Sequence, residues 1–293
     1  MARIAYVNGQ YVRHRDATVH IEDRGYQFSD GVYEVFAVMR GKLIGEVGHL
    51  ERLTHSLKEL RIDWPINRSA LIVVINEIVR RNHVYDGIIY LQITRGVAPR
   101  DHPFPKAPNS TIVLTARKSA PLDKGALRAG CDVITIPDIR WERCDIKSVA
   151  LLPNILGKQQ AREAGAFEAW QVDNSGFVTE GTSTNAWIVA QNGELVTRNV
   201  SKDILNGITR LAVIEAAAAV GISIVERPFT PAEAISAREA FITSSSSHVK
   251  AVTRIDGKSI GNGHVGDVTS RILDAYISYI ESEGGPKLTD TWN

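Results

Sequence analysis

The chain has 293 residues, 44% of them apolar and 23% charged, which excludes the disordered and fibrous classes and leaves a globular protein of one large domain or two of middling size. With 34 basic against 33 acidic side chains the net charge is +1, and the cations are dispersed, so no stripe suited to nucleic acid stands out. The opening "MARIAYVNGQYV" lacks a leader's basic start and apolar run, no segment is long and apolar enough for a membrane, and the eight histidines show no metal-ligand spacing. Cys131 and Cys144 form no CxxC pair and read as reduced, mostly buried thiols, so a cytoplasmic protein without a metal is expected.

In chain order, "IAYV" and "QYVRH" read as strands joined by Asn8-Gly9, which supplies the positive φ angles of a two-residue hairpin. Leu50, Leu53, Leu57 and Leu60 share one face of a helix over 49–61, and a second helix is predicted from Ala70. "GIIYLQITRG" and "STIVLTARK" alternate and are β-branched, as core strands are. The stretch "KSAPLDKG" joins Pro, Gly and charge without periodicity and reads as an interdomain linker. Beyond it strands are predicted near 129–136, 168–173 and 184–190. Helices follow in "LLPNILGKQQAREAG" and "GITRLAVIEAAAAVG", then a strand at "EAFITS" and a last helix in "DVTSRILDAYISYIESE". Mixed elements without a strict βα repeat predict two α+β domains, a smaller one over 1–118 and a larger one over 126–293, linked by 119–125.

One residue in this pattern raises a chemical question. Lys147, in "WERCDIKSVALLPN", lies among Cys144, Ile146, Val149 and Leu151, which look half buried. A lysine there either snorkels its amine to water or is used, because apolar surroundings disfavour the ammonium and free the neutral amine as a Schiff-base nucleophile or general base. Lys58, Lys158 and Lys258 sit on polar helical faces or in turns, where a solvated role suffices.

Read together, "DRGYQFSDGVYEV", "QITRGVAPRDHPFP", "WERCDIKS", "VTEGTSTN", "ILNGITR" and "FITSSSS" resemble the fold-type IV aminotransferases, which use pyridoxal phosphate. Within that group they are most similar to the D-amino acid aminotransferases, from the first hairpin to about Gly257. The resemblance implies a two-domain α+β enzyme with the cofactor at the domain interface, and a homodimer with shared active sites. It implies that Lys147 holds the cofactor as a Schiff base and then moves the proton between the substrate α-carbon and the cofactor. It places Glu180 against the pyridine nitrogen, which a negative partner keeps protonated; on its own, a glutamate before a glycine reads as a solvated turn residue.

For the phosphate, "ILNGITR" opens a helix whose N-terminus offers Ile208 and Thr209 as main-chain and hydroxyl donors, an arrangement nearly identical to an ordinary first turn. Arg52 in "HLERL" supplies a guanidinium for the phosphate, or else a helix-surface salt bridge. Ser244 and Ser245 match the family's hydroxyl donors, although four consecutive serines leave the individual assignment open. Leu205 is placed on the pyridine face and Ser183 near the ring or phosphate, with a purely structural role open for each.

Substrate choice falls to Tyr33, Arg100 and His102. In the D-amino acid aminotransferases an Arg-x-His pair from the neighbouring subunit joins a tyrosine on the α-carboxylate. One departure stands beside these matches: the family commonly has Gly where this chain has Ser29. The implied reaction is ping-pong transfer of the amino group of a D-amino acid, of the D-alanine or D-glutamate type, to 2-oxoglutarate or pyruvate. The (R)-amine and branched-chain L-amino acid aminotransferases, and aminodeoxychorismate lyase, share much of the cofactor apparatus and are the alternatives.

Overall fold

The computed structural model describes residues 3–283, so the outermost residues of the expected domains, 1–2 and 284–293, lie outside it. The chain divides into two compact units. Among the described residues, the first runs to Pro121 and takes in Ile146–Ala150; the second comprises Leu122–Asp145 and residues 151–283.

Among the described residues, the first unit holds strands β1 (Ile4–Val7), β2 (Gln10–Arg13), β3 (Gly31–Met39), β4 (Lys42–Leu43), β5 (Gly87–Thr94) and β6 (Thr111–Lys118) and helices α1 (Arg24–Phe28), α2 (Glu46–Glu59) and α3 (Arg68–Arg81). The strands form one antiparallel sheet in the order β2-β1-β6-β5-β3-β4. The first hairpin turns as expected, with φ of 45° at Asn8 and 93° at Gly9. Leu50, Leu53 and Leu57 of α2 and Leu71, Ile75 and Ile78 of α3 are buried with Phe36, Ile89, Leu91 and Leu114 of the sheet. Each such side chain contributes about 1.5–3 kcal/mol on leaving water, which explains why a leucine repeat was enough to locate α2.

In the second unit, the described residues form α4 (Lys124–Arg128), β7 (Cys131–Pro137), α5 (Leu152–Glu163), β8 (Glu168–Val172), β9 (Val178–Gly181), β10 (Asn185–Val189), β11 (Leu195–Thr197), α6 (Ile208–Ala219), β12 (Ile224–Glu226), α7 (Pro231–Ile235), β13 (Glu239–Ser244), β14 (His248–Ile255), β15 (Lys258–Ser259) and α8 (Asp267–Glu283). The sheet runs β12-β11-β10-β13-β14-β7-β8-β9, with β15 paired to β14. It is mixed: β7 lies parallel to both β14 and β8, while β9 returns antiparallel to β8. Helix α6 is buried from Ile208 to Val213 and again at Ala216 and Ala217, and it packs against α8, so its alanine-rich pattern has no wide polar face.

Two features differ from the expected division. The end of the expected linker already belongs to α4, whose first amides, at Gly125 and Ala126, are capped by the Asp123 carboxylate. More consequentially, Ile146–Ala150 lies by sequence inside the expected 126–293 domain but packs with the first unit. Ile146 joins the first core, Ser148 forms a β-bridge with Val32, Tyr33 N donates to Lys147 O at 3.0 Å, and Val149 N donates to Gly31 O at 3.0 Å. The short β4 pairs only with Val38 and Met39, so the start of β3 would otherwise be a bare edge, and the Lys147 segment satisfies it.

Candidate active site

Successive residues of β3 point to opposite sides of the sheet, so Tyr33 and Glu34 serve different neighbours. Tyr33 is half-buried and stacks on Tyr90 of β5 with ring centroids 5.8 Å apart. The Lys147 amine ends 3.3 Å from the Tyr33 hydroxyl and 4.3 Å from its ring centroid. Its backbone is fixed on both sides, through Tyr33 N and through a 3.1 Å bond from Lys147 N to Ser56 Oγ of α2. The lysine is therefore half-buried with its amine on a phenol, instead of extended into water.

Glu34 is 0% exposed and lies against His49 and Arg52 of α2. Arg52 donates from Nε at 2.8 Å and Nη2 at 2.7 Å, one to each oxygen, and His49 Nδ1 lies 2.7 Å from Oε2. Burial alone would raise the Glu34 carboxyl, but the Arg52 charge and hydrogen bonds, aided by His49, bring it down to about 2. Burial lowers His49, outweighing the opposite pull of Glu34. Arg52, expected at the cofactor phosphate, thus commits two N–H directions to a carboxylate that sequence reading passed over, in a buried pair instead of a surface salt bridge.

Arg100 and His102 are exposed on the loop after β5. Both lie against Phe28, the Arg100 guanidinium 4.6 Å from the ring centroid and the His102 ring 5.6 Å away. The structure thus brings Lys147 to Tyr33 and sets Arg100 and His102 each against Phe28, and no hydrogen bond among the described residues joins the two groups. Ser29 caps the C-terminus of α1 in the left-handed region, φ 55° and ψ 28°, with its N–H on the carbonyls of Arg24 and Gly25. A serine in this left-handed conformation costs on the order of 1 kcal/mol relative to glycine, and Ser29 is exposed.

In the second unit, Glu180 of β9 is held from three sides. Arg140 Nη1 donates to Oε1 at 2.5 Å, Asn185 Nδ2 to Oε2 at 3.1 Å, and Leu205 N lies 3.1 and 3.2 Å from the two oxygens. Arg140 is itself bound to Asp138 at 2.7 and 2.9 Å and is raised further above the usual arginine range: burial lowers it, but the Glu180 charge and the Asp138 bond outweigh burial. Asn185 also donates to Leu205 O at 3.0 Å, which ties the carboxylate to the turn entering α6. That turn needs Gly207, because a Cβ there would lie 2.1 Å from Asn185 Oδ1. Helix α6 then starts at Ile208 with no side-chain cap.

The Ser183 hydroxyl donates to Glu168 at 2.9 Å, beside Thr182 and Thr184 on the same buried carboxylate. Ser244 ends β13, and its hydroxyl accepts from Ser247 N at 3.0 Å, while Ser245 is half-buried in the turn that follows. Sequence reading missed Glu34, His49, Asp138, Arg140 and Glu168. Only Arg140, seven positions before Lys147 in "IRWERCDIK", carried a local signal.

Residues 31–255 match the family model for amino-transferase class IV. The chain belongs to this family, whose members are pyridoxal-phosphate-dependent transaminases, and its two-unit α+β architecture is the fold expected of the group. Its relatives include the D-alanine aminotransferase of Bacillus licheniformis, 42% identical over 278 residues, covering 94% of this chain and 96% of that protein. Another, from Staphylococcus epidermidis, is 39% identical over 277 residues, covering 94% and 98%. Among solved structures, the Escherichia coli branched-chain amino acid aminotransferase superposes with a TM-score of 0.87 at 24% identity, covering 100% of this chain and 98% of that one, a likeness of fold. The T.th. branched-chain amino acid aminotransferase, solved with pyridoxamine 5'-phosphate, gives 0.86 at 26% identity, covering 95% and 94%.

The residues present fit pyridoxal phosphate. The second unit offers a carboxylate whose direction is fixed by four N–H contacts and, three residues past Leu205, a helix N-terminus that no side chain caps. The first unit offers an amine held on a phenol. Among the described residues no helix is long and apolar enough to cross a membrane.

Proposed function

We propose that the protein transfers the amino group of a D-amino acid, of the D-alanine or D-glutamate type, to 2-oxoglutarate or pyruvate in a ping-pong reaction, as a cytoplasmic homodimer with shared active sites. The observation that carries this reading is the pairing of Lys147 with Tyr33 in a chain whose loop also presents Arg100 and His102. The likeness to D-alanine aminotransferases over 94% of the chain supports it.

Pyridoxal phosphate, when bound, supplies an electron sink for the charge left by the α-proton. Lys147 would anchor it and carry that proton, with the Tyr33 hydroxyl at 3.3 Å steadying the amine. Glu180, its direction fixed by Arg140, Asn185 and the Leu205 amide, would keep the cofactor's ring nitrogen protonated, and the Leu205 side chain would pack on the ring. The amides of Ile208 and Thr209 and the hydroxyls of Thr209, Ser244 and Ser245 bind the phosphate, with Arg52 adding positive charge. Ser183 supports this end through its bond to Glu168.

The partner copy's loop completes the site, its arginine and histidine meeting the substrate carboxylate opposite Tyr33. An arginine fork on two carboxylate oxygens fixes which face of the α-carbon meets Lys147. Losing one charge-assisted partner costs about 1.5–3 kcal/mol, or about ten- to a hundredfold. Arg100→Ala is therefore expected to lower kcat/KM for D-alanine by that factor and to leave a carboxylate-free (R)-amine within about twofold. Equal losses on both substrates would remove the carboxylate role and favour the (R)-amine alternative.

A further inference from the structure

The loop that carries Arg100 and His102 is exposed, yet it rests on a buried, charged support. Arg24 is 4% exposed and commits its whole guanidinium here. Nη1 donates to Asp101 O at 2.6 Å, Nη2 to His102 O at 3.2 Å, and Nε to Asp30 Oδ2 at 2.8 Å. Its Cζ lies 4.9 Å from the centroid of the Phe28 ring, the same ring that Arg100 and His102 touch. Asp30 also accepts Arg95 through Nε at 2.7 Å and Nη2 at 2.9 Å. Arg95, 2% exposed, donates in turn to Leu60 O and Arg61 O and lies 3.6 Å from the Phe104 ring centroid, farther along the same loop.

The loop's base is fixed as well. Arg24 N donates to Gly96 O at 2.9 Å, and Gly96 sits at φ +90° where a Cβ would lie 1.8 Å from Asn109 O.

A support of this kind is more than the fold requires. Asp101 and His102 are exposed residues of a loop, yet their carbonyls accept from a guanidinium that is 4% exposed, so the two bonds tie the loop backbone to the buried body of the unit. They add position. Asp101 and His102 follow directly on Arg100, and a planar fork reaches two successive carbonyls, where a lysine amine is a single point. Asp30 keeps the two cations together. Burial would raise its carboxyl, but the bonds and charges of Arg95 and Arg24 outweigh that and hold it below the usual range.

We propose that Arg24, joined to Arg95 through Asp30, is a positioning residue that holds the loop backbone at Asp101 and His102, so that the Arg100 and His102 side chains meet a substrate carboxylate at fixed spacing. This rests on the carboxylate reading of Arg100 and His102, and it assigns a role to the "DRGYQFSD" segment that the cofactor chemistry does not use.

The test compares Arg24→Gln, Arg24→Lys and Arg100→Ala in the full-length holoenzyme, with D-alanine and a carboxylate-free (R)-amine as donors. Arg24→Gln is expected to raise KM for D-alanine about tenfold while kcat at saturation and kcat/KM for the amine stay within about twofold. Arg24→Lys, which keeps the charge and the Asp30 pair, is expected to fall between wild type and Arg24→Gln, and it carries the test if the glutamine variant does not fold. Arg24 variants that leave KM for D-alanine unchanged, or lose equally on both donors while Arg100→Ala discriminates, overturn the positioning role alone. An Arg100→Ala variant that does not discriminate overturns the carboxylate reading, and this role with it.

Discussion

Lys147→Ala is expected to fold normally and to transfer amino groups at least about ten-thousandfold more slowly than wild type, since it loses both the anchoring amine and the positioned base. The structural contacts of this residue are made by its backbone: Lys147 O accepts Tyr33 N at 3.0 Å and Lys147 N donates to Ser56 Oγ at 3.1 Å. Alanine keeps both. What it loses is the amine at Tyr33, a half-exposed cation and phenol contact worth about 0.5–1 kcal/mol, so the unfolding midpoint is expected to move little. Borohydride treatment of the wild-type holoenzyme, followed by peptide mapping, is expected to place the reduced pyridoxyl group on the Lys147 peptide. Label on Lys158 or Lys250, or a variant within tenfold of wild-type rate, would remove Lys147 from its role.

Glu180→Gln is expected to slow the half-reaction by about a hundred- to a thousandfold, the range seen when a preorganised electrostatic partner is removed, and to reduce cofactor affinity much less. The local geometry makes this an unforgiving substitution. Every contact of the Glu180 carboxylate described above is with an N–H donor, from Arg140, Asn185 and Leu205. An amide must turn its own NH2 toward one of them, leaving donor against donor at a cost of about 1–3 kcal/mol. Arg140 keeps Asp138 and Thr179 as partners, and the Thr179 hydroxyl still donates to Asp138, so β9 stays tied to the segment after β7 and the expected loss is one of charge. Single-turnover absorbance with D-alanine separates the effects; half-reaction rates equal to wild type would show that another group governs the ring.

Much of the fold was legible because it rests on local periodicity. The leucine repeat gave α2, Asn8-Gly9 gave the hairpin, and "EAFITS" and the last helix lie at the expected residues. Strand β14 was not seen: its run "HVKAVTRI" carries a histidine, a lysine and an arginine, although the strand lies inside the sheet between β13 and β7. The site residues named from family motifs depended on resemblance, and their supporting partners were invisible for a physical reason. Arg140 and Glu180 are 40 positions apart and meet only because β7, β8 and β9 are neighbours. Arg24 and His102 are 78 positions apart, and an arginine in "DRG" reads like any surface cation. Glu34 in "GVYEVFAVM" falls on the same strand face as Val32, Phe36 and Val38, and the partners that let a carboxylate lie there, His49 and Arg52, come from a separate helix. Sequence order also hid the return of the Lys147 segment to the first unit, since the bridge to Val32 that secures it is a contact across more than a hundred residues.

The most direct test of the proposed reaction is amino-group transfer to 2-oxoglutarate by the purified holoenzyme, with D-alanine and L-alanine as separate donors and both products quantified. The expected result is pyruvate and D-glutamate in equal amounts from D-alanine, with negligible product from L-alanine. Transfer from L-alanine or a branched-chain L-amino acid at a rate equal to that from D-alanine, or pyruvate without matching glutamate, would contradict it.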